Sequence, residues 1–192
     1  MKPIYYRKYN QPQEYSFLVR YAEVPHTYNQ FHYHQEFEIL YNIENSGTRF
    51  VGDSIHRFGN GDLVLVGPHT PHYWHSDDQY FEGNENLTAK VVLIQFVEDF
   101  LGEKFNGLPE MRNFKELFSK AAYGIRFKGN DAINIGEKII QISQEENWKK
   151  LLLMIEMLCM MSDSKDYELL SSRGFTEASK FGNQERISSL FN

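Results

Sequence analysis

Over the first half of the chain, apolar and polar positions alternate with a period near two. Tyr15, Phe17, Val19 and Tyr21 fall on every second position between Pro12 and Pro25, the pattern of a half-buried strand. Phe37, Ile39 and Tyr41 share one face of the next strand, and Glu38 and Leu40 share the other. Gly52-Asp53 separates Arg49-Phe50-Val51 from Ser54 to Phe58, which predicts a hairpin in which glycine supplies the positive φ of a two-residue turn. Asn60-Gly61 marks another turn. Leu63-Val64-Leu65-Val66 is continuously apolar, as expected of a strand covered on both sides, and Pro68 and Pro71 end it. Asp77 to Leu87 is polar and reads as an exposed loop, and Ala89 to Phe96 reads as a further strand. Many short strands at close spacing predict a sandwich or barrel.

After Val97 the period lengthens. Met111, Phe114, Leu117, Phe118 and Ala121 recur at helical spacing, with Pro109 near the first turn and Gly124 placed to cap the end. Ile135, Ile139 and Ile142 predict a second helix. A third runs from about Trp148 to Met161, where from Leu151 onward only Glu156 is charged or strongly polar. A helix so apolar needs cover on two sides, one from the β-body and one from another helix or a second subunit. Trp148, Leu152, Ile155 and Cys159 are the candidate dimerisation residues. Gln184 to Phe191 is a candidate start of another helix.

Composition narrows the functional classes. A chain of 192 residues is long enough for one domain with a real core, or for a domain plus a helical appendage. Its net charge of -6 and pI near 5.6 lack the basic footprint of a phosphate-backbone binder. The single cysteine, Cys159, allows neither an internal disulfide nor a cysteine zinc site. The N-terminus has no apolar leader segment and Leu151 to Met161 is too short to span a bilayer, so no membrane association and a cytoplasmic location are expected. No Ser/His/Asp order or phosphate loop stands out, and no catalytic residue is assigned.

Histidine is concentrated between Phe31 and His75, where His32, His34, His56, His69, His72 and His75 lie, with His26 just upstream. His32, His34 and Glu38 share the parity of an extended strand, and His72 reaches them only if the strands curl. Three imidazoles and a carboxylate suit a first-row divalent ion, Zn, Ni, Mn or Fe, with positions left open for water or substrate. The same residues could equally line a polar cavity without metal. Trp74, between Tyr73 and His75, is expected to pack at the rim, or else to stack on a sugar ring. His26 and His56 are expected at the surface.

These residues resemble the cupin superfamily, whose first motif has His-x-His, three or four residues, then Glu, matched by His32, His34 and Glu38. The second motif is similar to Gly61, Leu63 to Val66, Gly67-Pro68 and Thr70-Pro71-His72. Gly47 stands in for the later glycine of the first motif, and His69 stands where the second motif usually has glycine. A closer resemblance is to the N-terminal sensor domain of AraC-type transcription regulators, carried by Phe31 to Glu38, Gly47 to Asp53, Gly61 to His72 and the helices opened by Leu108-Pro109-Glu110.

The resemblance implies an α+β fold, a cupin-like antiparallel β-barrel (jelly roll) followed by a C-terminal set of helices. It implies a barrel over residues 1–100, a helical dimerisation region over 101–180, and over 181–192 a linker toward a helix-turn-helix DNA-binding domain absent here. The expected function is effector sensing: a small metabolite, a sugar or its derivative, binds in the barrel at His32, His34, Glu38, His72 and Trp74. The helices make a homodimer, and DNA is reached only through the missing domain. A metal-dependent cupin enzyme, a dioxygenase or isomerase, is the other class these residues allow.

Overall fold

The computed structural model describes residues 3–6, 16–27, 30–84 and 86–181, with the side chains of 178–181 left aside. Tyr15, Pro12 and the segment Gln184 to Phe191 fall outside this range, as does nearly all of the expected 181–192 linker.

Two sheets close the barrel. The first contains β1 (Ile4–Tyr5), β3 (His32–Tyr33), β5 (Gly47–Val51), β6 (Ser54–Phe58) and β8 (His72–Ser76), in the order β1-β3-β8-β5-β6. The second contains β2 (Phe17–Val24), β4 (Phe37–Glu44), β7 (Asp62–Val66), β9 (Ala89–Phe96), β10 (Ile125–Phe127) and β11 (Tyr167–Leu169), in the order β11-β10-β7-β4-β9-β2. The helices are α1 (Glu103–Asn106), α2 (Arg112–Ala121), α3 (Gly129–Gln144), α4 (Asn147–Asp163) and α5 (Arg173–Phe181). No helix among the described residues is long and apolar enough to cross a membrane.

Alternation assigns the two faces of the second sheet to two different cores. Phe37, Ile39, Leu63, Leu65, Val92, Ile94 and Phe96 look outward and are covered by Phe114 and Leu117 of α2, Ile135, Ile139 and Ile142 of α3, and Met154 and Leu158 of α4. Leu40, Val64, Val66 and Val91 look inward and meet Val51, Phe58 and Trp74 from the first sheet. β7 is therefore buried on both faces, and its unbroken apolar run follows from that.

The Gly52-Asp53 hairpin forms with Gly52 at φ 60°. Gly47 is required for a different reason: a Cβ there would stand 2.0 Å from the backbone oxygen of His75, across the β5–β8 pair. His69 adopts φ 59°, the backbone conformation that the glycine common at that motif position takes freely.

Four differences from expectation have simple causes. Residues 101–180 are helical except for β10 and β11, which extend the barrel sheet through the pairing of Ile125 with Leu65 and of Phe127 with Leu63. The Asp77 to Leu87 segment holds a short 3-10 turn, Asp78–Phe81, with Tyr80 buried. His26 is half-buried and stacks on Phe81 at a ring distance of 4.0 Å, whereas His56 is exposed as expected. Trp74 is not at the rim. Its parity on β8 matches that of His72 and Ser76, so it fills the barrel interior and is 1% exposed.

Inside the barrel, four residues along β4 from Glu38, lies a buried Arg49–Asp62 ion pair that the partly exposed Arg126 and Glu168 continue outward. Arg49 donates to Asp62 Oδ1 at 2.6 Å, and Arg126 of β10 donates to the same oxygen at 2.9 Å and to Glu168 of β11 at 3.0 Å.

Candidate metal and ligand site

Five elements bring their polar ends to one mouth of the barrel. β3 supplies His32, the link after it His34, the start of β4 Glu38, the start of β8 His72, and the end of β9 Gln95. Strand register makes His32 the direct partner of His72 and Glu38 the direct partner of Gln95. One nitrogen from each of His32, His34 and His72 and one oxygen of Glu38 all lie within 4.8 Å of one another, and all four residues are buried.

The second nitrogen of each ring decides what the first can do. His32 Nδ1 lies 2.7 Å from the Gln30 carbonyl, His34 Nδ1 3.1 Å from that of Glu36, and His72 Nδ1 2.8 Å from that of Thr70. A carbonyl oxygen only accepts, so each Nδ1 carries a proton, and Nε2 is the nitrogen that each ring turns inward. Metal-binding imidazoles have this arrangement, with the outer N–H on a fixed acceptor. His72 Nε2 is buried without a hydrogen-bond partner; Glu38 Oε1 is 3.5 Å away, beyond good hydrogen-bond length.

Electrostatics separates the three rings. Burial, reinforced by the neighbouring His72, lowers His32 to about 4 and keeps it neutral. Burial would also lower His34, but the carboxylates of Glu36 and Glu38 outweigh it and raise the ring to about 9. Glu38 Oε2 is 3.0 Å from His34 Nε2 and accepts from Gln95 Nε2 at 2.6 Å. Burial alone would raise the Glu38 carboxyl, yet His72 and His34 hold it well below the usual carboxylate range. Without a cation the site therefore keeps one proton between His34 and Glu38. A divalent ion there would take its place. With that proton displaced, three imidazole nitrogens and a carboxylate held charged fit such an ion in number and type.

Sequence reasoning missed Gln95 and Glu36. Gln95 was the one polar residue in the run Val91-Val92-Leu93-Ile94-Gln95-Phe96, and its parity with Leu93 places it on the inner face. Glu36 has the parity of His34 and Glu38, is 8% exposed, and sets a carboxylate oxygen 3.3 Å from His34 Nδ1. Trp74 belongs to the same interior, its ring 5.7 Å from that of His72, but with Leu40, Val51 and Val64 it plugs the middle of the barrel. The four donors, with Gln95 and Glu36, make up the polar part of the interior above this plug.

Residues 14–95 match the family model of the AraC-like ligand binding domain. The matched segment contains the strands that carry the four donors. Among solved structures, a cupin 2 conserved barrel domain protein from Rhodopseudomonas palustris is similar over 46% of this chain and 57% of its own, at 20% identity and a TM-score of 0.34. The AraC-like transcriptional activator CuxR is similar over 77% of this chain and 50% of its own, at 10% identity and a TM-score of 0.47. Unsaturated fatty acid bound ToxT from Vibrio cholerae strain SCE256 is similar over 91% and 68%, at 9% identity and a TM-score of 0.47. The chain spans little more than half the length of the Rhodopseudomonas protein and half that of CuxR. No curated protein sequence matches it.

Proposed function

We propose that this chain is the effector-sensing and dimerisation module of an AraC-type transcriptional regulator, with a divalent metal, Zn, Ni, Mn or Fe, held by His32, His34, Glu38 and His72 at the barrel mouth. The observation that carries this reading is the commitment of all three Nδ1–H groups to backbone carbonyls, which leaves three Nε2 atoms and Glu38 facing one point in a ligand-binding domain. A bound ion would supply a Lewis-acidic anchor for an oxygen of the effector, such as a sugar hydroxyl or a carboxylate.

The protein's own contribution is to shape and close that mouth. Trp74 with Leu40, Val51 and Val64 blocks the barrel below the histidines, so a small metabolite is held at the mouth rather than in the depth. Tyr6, which follows β1, sets its ring edge on His32 at 5.4 Å and forms part of the wall.

The helices supply the second half of the reading. α4 buries Met154, Met157, Leu158 and Met161 against the body of the chain, while Trp148 and Leu152 are 66% and 56% exposed and Ile155 and Cys159 are half-buried. Trp148 and Leu152 face outward, Ile155 and Cys159 flank them, Cys159 also touching the core, and the four are the proposed homodimer contact; DNA would be reached through a further domain. The second reading, a metal-dependent cupin dioxygenase or isomerase, is favoured by the same donor set.

A thermal-shift screen of small metabolites against the Zn-loaded chain, followed by product analysis of every hit, tests the choice. The sensor reading expects a ligand that raises the melting temperature and is recovered unchanged. Metal-dependent consumption of a hit would contradict it and establish the enzyme.

A further inference from the structure

The loop that positions His72 is also the loop that holds the start of α5. Thr70, whose carbonyl accepts from His72 Nδ1 at 2.8 Å, donates its own hydroxyl to the Ala122 carbonyl at 3.2 Å. The next residue of that turn, Tyr123, accepts from the Ser171 backbone N–H at 2.7 Å. A second route leaves from Pro71, whose carbonyl accepts from Gly52 N–H at 2.8 Å at the tip of the β5–β6 hairpin. Beside it, Asp53 Oδ1 accepts from Ser171 Oγ at 2.9 Å and from Ser172 N–H at 2.8 Å, and Oδ2 accepts from Ser172 Oγ at 2.6 Å.

Both routes end at the N-cap of α5. Ser172 Oγ accepts from Phe175 N–H at 3.2 Å, capping the helix from within, while Asp53 holds the cap from the barrel. The approach is close enough to dictate sequence: a Cβ on Gly52 would stand 1.9 Å from Ser171 Oγ. Behind the cap, Phe175 and Thr176 are 9% and 1% exposed. The chain passes through α5 from the body of the protein to residues 182–192.

We propose that the contact of Asp53 with Ser171 and Ser172 is a latch that ties α5 to the histidine site through the His72 loop. This rests on the reading of His72 as a metal ligand. A cation on Nε2 makes Nδ1–H a stronger donor, which firms the Thr70 carbonyl and with it both routes, so metal binding tightens α5. By linkage, a latch that responds to metal must also contribute to metal affinity by the same factor.

The test is amide hydrogen exchange at Phe175 and Thr176 in the full chain, with and without Zn(II), for the wild type and Asp53→Ala, with calorimetry following Zn(II) binding. In the wild type, Zn(II) slows exchange by about fivefold or more. Asp53→Ala speeds exchange by about tenfold, no longer responds to Zn(II), and binds it correspondingly more weakly, while β4, β7 and β9 stay protected. Should Asp53→Ala disturb those strands, Ser172→Ala, which leaves the hairpin intact, gives the same readout. Zn(II) that binds without changing wild-type exchange overturns the coupling, and unchanged exchange in the variants overturns the latch. Absence of a binding heat instead overturns the metal reading, and the variants then decide the latch alone.

Discussion

His32 and His72 sit directly opposite each other across the β3–β8 pair, their ring centroids 4.4 Å apart. Two imidazoles this close and this buried cannot both carry a proton at low cost, and burial together with His72 is what holds His32 down to about 4. His32 is thereby held neutral, and its inward nitrogen is open to a cation.

Gln95 is expected to matter to the metal although it is not among the four donors. Its amide orients Glu38 from across the β4–β9 pair. Gln95→Leu should weaken Zn(II) binding by about tenfold to a hundredfold with little loss of fold, measured by competition with a chromogenic chelator. Unchanged affinity would mean that Glu38 does not bind the ion.

The metal-free chain should show a stability maximum near pH 6.5. His34 is raised from 6.5 to about 9, so its contribution is fully present below pH 6.5 and lost as pH rises through 9. His32 is lowered from 6.5 to about 4, so the unfolded chain takes up more protons as pH falls through that window and stability declines there too. Each limb has a limiting slope of about 1.4 kcal/mol per pH unit. Thermal unfolding in EDTA from pH 4.5 to 9 checks both limbs. With Zn(II) the alkaline limb should flatten or reverse, because the ion no longer competes with the His34 proton.

Gly47→Ala should cost about 1–3 kcal/mol, since the new methyl meets the His75 carbonyl rather than a side chain that could move aside. Urea unfolding measures it. A neutral result would show that β5 and β8 separate more easily than their register suggests.

Arg49→Leu should be more costly, about 3 kcal/mol or more. It leaves Asp62 buried with only Arg126, itself partly exposed, to compensate its charge. The same unfolding experiment applies, and the histidine site should bind Zn(II) as before.

Much of this arrangement was legible in the sequence because strands keep a strict period. The shared parity of His32, His34 and Glu38 marked them as a group, but the chain leaves β3 at Tyr33 and enters the other sheet at Phe37, so they meet across the barrel rather than along one strand; the apolar run of β7 announced cover on both sides. Gln95 escaped because one polar residue in an apolar strand does not reveal which face is inside until its partner, Glu38, is known. Trp74 reads from the sequence as a rim residue or a stacking platform for a sugar, and neither shows its depth; its parity with His72 on β8 takes it into the interior. β10 and β11 are three residues each, too short to leave a period, and exist because β7 offers an open edge.

The most direct test is a calorimetric titration of the EDTA-stripped chain with Zn(II), run beside His72→Ala. The account predicts one ion per chain, proton release that diminishes as pH approaches 9, and affinity at least a hundredfold weaker in the variant, more than loss of an orienting partner alone would cause. Absence of stoichiometric binding, or binding that His72→Ala leaves unchanged, would contradict it.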